Sequence, residues 1–144
     1  MSEAHHRALE RMYDSAPSNQ GSNLQALVND HQVELSMRVQ PEMLHSAGAV
    51  SGSYIYKMLE DACFLVASAS AEEFYVLTAS FNVQHIGPAI QGELRAVAKV
   101  VHTGRTLIYT EARLYDSAGD LLALGTGSFT RSQLPLRDVP GYQG

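Results

Sequence analysis

The stretch Ser51-Gly-Ser-Tyr-Ile-Tyr-Lys-Met-Leu-Glu-Asp-Ala-Cys-Phe-Leu-Val-Ala-Ser-Ala69 decides the fold. It reads as one long helix, apolar almost all the way round. At about 100° per residue, Ile55, Met58, Leu59, Ala62, Leu65, Val66 and Ala69 share one broad side, which Tyr56, Cys63 and Ala67 widen. Ser53, Lys57, Glu60, Asp61 and Ser68 fall on a single narrow stripe with Phe64 among them, Glu60 at one edge and Asp61 at the other. A helix this apolar is normally buried in a larger structure, so two adjacent carboxylates near its middle require a reason. For Asp61 one is at hand: Lys57 lies four residues before it, and such pairs on a solvated helix face contribute a few tenths of a kcal/mol. For Glu60 a solvated stripe competes with a buried, perturbed carboxylate that has a function.

Outward from the helix, the pattern changes. Glu3 to Tyr13 is predicted as a short amphipathic helix, with Leu9, Met12 and Tyr13 on one face, and Asp14 to Asn23 as a loop. In Val33 to Val39 apolar residues alternate with Glu34, Ser36 and Arg38, a strand ended by Pro41. After the helix the period is two throughout. Glu73 to Ile86 puts Tyr75, Leu77, Ala79, Phe81 and Val83 on one face and Thr78, Ser80, Asn82 and Gln84 on the other. Leu94 to His102, Thr106 to Tyr115 and Leu121 to Arg131 follow, joined by a turn at Thr103-Gly-Arg105 and another at Asp116 to Asp120. Gly104 is expected to supply a positive φ in its turn. Gly125 and Gly127 signal a bulge or a close approach by another backbone. Short turns force antiparallel neighbours. The expectation is one α+β domain: residues 1–30 an extra N-terminal helix and loop, 31–133 a curved antiparallel sheet of about five strands wrapped around the helix, 134–144 a tail.

The rest of the composition is ordinary. The chain has 144 residues, 45% hydrophobic and 17% charged, enough for a sizeable core and too apolar for disorder. A net charge of −5 with scattered Lys and Arg argues against nucleic acid. The single cysteine, Cys63, excludes an intrachain disulfide and reads as an inert buried thiol, and no metal-ligand spacing is present. His5 and His6 read as solvated. Met1 to Arg7 has no apolar leader pattern, and Lys57, Glu60 and Asp61 interrupt the longest apolar run. A cytoplasmic protein without a membrane span is expected.

The order of elements resembles the hotdog-fold thioesterases, and among them the PaaI-like acyl-CoA thioesterases. The resemblance runs through His45 to Ser53, Leu59-Glu-Asp-Ala62, Thr78 with Asn82, Pro88-Ala89, Gly104-Arg105, Asp116 to Gly119 and Gly125 to Phe129, covering most of Val33 to Arg131. In such enzymes a His-Gly-Gly motif opens the central helix and an acid follows nine positions after the His. Ser51-Gly52-Ser53 stands at that motif, so the resemblance selects Glu60 over Asp61. The upstream amide of the family is His45 here, and the hydroxyl that supports the acid is Thr78. Three departures stand out: Ser51 for the motif's His, Ser53 for its second Gly, and His45 for the amide.

Thioester hydrolysis needs a carboxylate that activates water or attacks directly, and donors for the developing oxyanion. A helix N-terminus offers unpaired N–H groups, and at Gly52 the absence of a Cβ leaves that N–H open to a carbonyl. Glu60 lies about 12 Å further along the helix by its rise, too far for both to touch one thioester. The two roles must then come from different subunits, and the resemblance implies the same shared site in a homodimer or homotetramer. The catalytic set is Glu60, Gly52, His45 and Thr78, with Ser51, Ser53, Asp61, Phe64, Asn82 and Arg105 as substrate-binding candidates. Ser51 reads as the helix N-cap. His45 is either a carbonyl-binding donor or a histidine capping the preceding turn. No cofactor is expected beyond the coenzyme A of an acyl- or aryl-CoA substrate. Two rivals remain: a module that binds such esters without turnover, and a 3-hydroxyacyl thioester dehydratase.

Overall fold

A computed structural model describes residues 2–143 of the chain. Helix α1 (Glu3–Ser15) is followed by strands β1 (Gln25–Val28) and β2 (Val33–Arg38). The central helix α2 (Gly52–Ala71) comes next. Four strands complete the fold: β3 (Phe74–His85), β4 (Glu93–Thr103), β5 (Leu107–Tyr115) and β6 (Leu121–Pro135). The strands form one antiparallel sheet in the order β1-β2-β4-β5-β6-β3. Helix α2 packs against all six, so the sheet curls around it. This is the expected architecture with one strand more. Gln25 to Val28 is too short, and its apolar residues Ala26, Leu27 and Val28 too contiguous, to announce itself by alternation; it forms because its backbone pairs with β2.

The apolar side of α2 makes the core. Met58, Leu59, Ala62, Cys63 and Leu65 are fully buried, as are Leu94, Ala96, Ala98, Ile108 and Leu114 from the sheet. Small alanines on β4 and β5 let the helix lie close to the sheet. Burial pushes the Cys63 thiol up to about 12, so it stays a protonated, inert filler as expected. The polar stripe of α2, by contrast, is not left to water. Helix α1 lies across it: Tyr13 Oη donates to Asp61 Oδ2 at 2.7 Å, and His5 Nε2 lies 3.2 Å from the carbonyl of Ser68. His5 and His6 are therefore buried rather than solvated. His5 also meets Tyr142 Oη at 2.7 Å, and His6 Nε2 stands 3.1 Å from Asp30. The segment read as a tail is packed too: β6 runs to Pro135, and Leu136 beyond it is buried in the core.

His5 gives the fold a pH dependence. To serve a carbonyl at Nε2 its proton must sit there, which leaves Nδ1 to accept from Tyr142. Burial, chiefly, holds its pKa below the ordinary 6.5. As pH falls through 6.5 the unfolded chain takes up this proton before the folded one, so stability present above that pH is lost below it. The melting temperature is expected to drop on crossing pH 6.5 downward, and the drop to shrink in His5→Asn. An identical drop in wild type and variant would remove His5 as its source.

Two local corrections bear on the site. In β3 the alternation breaks at a bulge between Thr78 and Ser80, where the register to β6 shifts. Thr78 therefore faces α2, and Phe81 faces it again beyond the bulge, in edge contact with Tyr56. Leu77, expected on the apolar face, is 51% exposed. At Gly125 and Gly127 the close approach is chiefly by a side chain and not by the backbone expected, since a Cβ at either would collide with the Phe81 ring. Gly104 has no positive φ; its need for glycine is steric, because a Cβ there would lie 2.8 Å from the Leu107 carbonyl oxygen.

Candidate active site

Glu60 and Asp61, neighbours in sequence, meet different partners. Glu60 Oε2 accepts a 2.8 Å hydrogen bond from Thr78 Oγ1. That bond exists because the β3 bulge turns Thr78 inward. It occupies one carboxylate oxygen and leaves the other to take up a proton. Asp61 Oδ2 accepts from Tyr13 and from Lys57 Nζ, the latter at 2.8 Å. The expected Lys57–Asp61 pair is present, though under α1 rather than on a wet face.

Glu60 and Thr78 open onto a cleft of about 390 Å³ between α1, α2 and the β3 edge. Its other walls are largely apolar, including Met12, Phe64, Tyr75, Val76 and Val139. The Phe64 and Tyr75 rings lie 5.3 Å apart, centre to centre. The Tyr75 hydroxyl is held above its ordinary pKa by burial and by the charges of Asp61 and Glu60, so it too stays protonated.

At the other end of α2 lies a second open cleft, lined by His45, Val50, Gly52, Ile55, His85 and Pro88 among others. Ser51 occupies the N-cap position with φ −58° and ψ 141°, yet its side chain makes no capping bond; its hydroxyl lies 3.2 Å from that of Ser53. Tyr54 N–H donates to the Ser51 carbonyl, and among the described residues nothing accepts from the Gly52 N–H. His45 does cap its turn, since its Nδ1 accepts from the Ala47 N–H at 3.1 Å. In the neutral ring this places the proton on Nε2, so the capping role leaves a donor over.

The structure thus brings Glu60, Thr78, Asp61 and Phe64 to one cleft and His45 with Gly52 to another. Ser51, Ser53, Asn82 and Arg105 line neither. His85 is the residue that sequence reasoning passed over. Its imidazole carbon Cε1 stands 3.5 Å from where a Gly52 Cβ would be. The signal was slight, one histidine at the end of a strand before Gly87-Pro88. Among the described residues no three His, Cys, Asp or Glu side chains gather as a metal site, and no helix is long and apolar enough to cross a membrane.

Comparisons with known proteins agree with this fold. A search of curated proteins finds no match. Among solved structures, the PaaI protein of the E. coli phenylacetic acid degradation operon superposes with a TM-score of 0.82 at 16% identity, over 92% of this chain and 99% of that one. A thioesterase from Haemophilus influenzae gives 0.76 at 16% identity, over 83% and 85% of the two chains. A conserved protein from Pseudomonas aeruginosa gives 0.76 at 22% identity, over 81% and 94%. These likenesses establish the fold. The sequence itself matches the family described as the thioesterase superfamily over residues 47–123, from just before α2 into β6. The chain belongs to the thioesterase superfamily and carries its hotdog fold.

Proposed function

We propose that the protein hydrolyses an acyl- or aryl-CoA thioester to the free acid and coenzyme A. The observation that carries this reading is the 2.8 Å bond from Thr78 to Glu60 at the edge of a largely apolar cleft. Glu60 acts as general base toward water or as nucleophile on the thioester carbonyl. Thr78 orients the carboxylate. The oxyanion that develops is met by the Gly52 N–H, with the Nε2–H of His45 at hand in the same cleft.

The two clefts share no lining residue, in keeping with the helix rise that sets Gly52 and Glu60 about 12 Å apart. A homodimer with α2 of one subunit facing α2 of the other would unite Glu60 of one chain with Gly52 of its partner. Strand β3 suits such an arrangement: it is an edge of the sheet, twelve residues long, with half-exposed Leu77.

The test is release of free thiol from short-chain, long-chain and aromatic CoA esters. Turnover of at least one class is expected. Tight binding with no thiol release across the panel would overturn hydrolysis in favour of a binding module. Within the active class, Thr78→Val is expected to lower kcat about tenfold by freeing the Glu60 carboxylate to rotate. An unchanged kcat would take Thr78 out of the site.

A further inference from the structure

The core of the fold supplies only part of the cleft beside Glu60. Helix α2 and strand β3 contribute Glu60, Phe64, Tyr75 and Thr78, whereas Met12 and Tyr13 come from α1 and Val139 from beyond β6. Those two chain ends are locked together: Arg11 donates to the Tyr142 carbonyl at 2.9 Å, and the Tyr142 hydroxyl meets His5. Tyr13 is fixed at both ends. Its hydroxyl is held by Asp61, the residue after Glu60, and its carbonyl accepts from Asn19 Nδ2 at 2.8 Å. At 6% exposure it has no freedom to swing aside. Burial and the Asp61 charge keep its hydroxyl protonated, so the bond holds across the working pH range.

We propose that α1 forms the end wall of the acyl site, and that Tyr13 is the residue that sets how large an acyl group is accepted. The inference rests on the hydrolase reading for the identity of the occupant. An occupant that reaches Glu60 with its carbonyl places its acyl part among Phe64, Tyr75 and Val76 and ends against Tyr13. At about 390 Å³ the cleft lies at the small end of ligand pockets. A short chain or a single ring fits; a long fatty chain meets a wall residue held through its hydroxyl by Asp61 and through its backbone carbonyl by Asn19. Because the wall lies outside α2 and β3, it can be altered without touching Glu60 or Thr78.

The experiment measures kcat/KM for CoA esters from butanoyl through decanoyl to palmitoyl. Wild type is expected to favour the short members. Tyr13→Ala opens the wall and should raise the decanoyl-to-butanoyl ratio about tenfold or more, since each extra buried methylene contributes to discrimination. Ala16→Leu, which adds bulk to the same cleft, should shift the ratio the other way. Native melting curves with an unchanged ratio in both variants would overturn the proposal. A parallel titration uses thioether analogues of the same CoA ladder, which cannot be hydrolysed, against Glu60→Gln. Affinity that peaks at short length supports the wall even if no ester is turned over, an outcome that would count against hydrolysis alone. Affinity that rises steadily to palmitoyl overturns the wall.

Discussion

Glu60→Gln is expected to lower kcat for thioester hydrolysis by about 10²–10⁴-fold while leaving the fold unchanged. The substitution is nearly isosteric, and the amide oxygen still accepts from Thr78 Oγ1. Among the described residues Glu60 has no ion-pair partner that the change would strand. What disappears is the charge that accepts a proton from water or attacks the carbonyl. Asp61→Asn is the comparison that gives the result its meaning. It keeps an acceptor for the Tyr13 hydroxyl, loses the Lys57 ion pair beneath α1 and leaves the Glu60–Thr78 bond untouched, so the rate should change by less than about fivefold. Thiol release by both variants, beside matching melting curves, decides the assignment. Full activity in Glu60→Gln, or equal losses in the two variants, would remove Glu60 as the catalyst.

That two adjacent carboxylates can be assigned opposite roles shows what the sequence could and could not reveal. Periodicity identified α2 and the five longer strands, because a buried helix and a half-buried strand each impose a spacing on apolar residues. It could not show β1, whose reason for existing is a backbone pairing with β2. Nor could it show the β3 bulge, which reverses the parity that alternation assumes and sends Thr78 inward instead of Leu77. The Thr78–Glu60 contact was legible only through the resemblance to hotdog thioesterases. His5 looked solvated because its partners are remote in sequence: Ser68 sits on another helix, and Tyr142 lies 137 residues away. Separation in sequence hides the cleft wall as well, since nothing local says that Tyr13 will reach Asp61. Resemblance placed Ser51 at a motif position, yet its hydroxyl turns to Ser53 instead of capping the helix. The donor that remains beside Gly52 comes from elsewhere, from His45 or His85.

Two inactive variants, combined, are expected to yield an active enzyme. Glu60→Gln is the first and Gly52→Pro the second. Proline at Gly52 removes one N–H and little else. Gly52 is the first residue of α2, where proline is favoured, and its N–H has no acceptor among the described residues. The residue before a proline must be extended, and Ser51 already is, at φ −58° and ψ 141°. A Cβ at this position meets only the His85 ring, at an ordinary 3.5 Å. Loss of one oxyanion donor should by itself cost about 10²–10³-fold in kcat. If each site joins Gly52 of one chain to Glu60 of its partner, a mixed dimer has one site with both lesions and one with neither. Random pairing makes about half the dimers mixed, so a co-expressed, equal mixture should recover about a quarter of wild-type thiol release. If instead one chain builds a whole site, every site carries a lesion and mixing restores nothing. Activity of the purified hybrid, isolated by a different tag on each variant, separates the two arrangements, and a hybrid as inactive as its parents would end the shared-site reading.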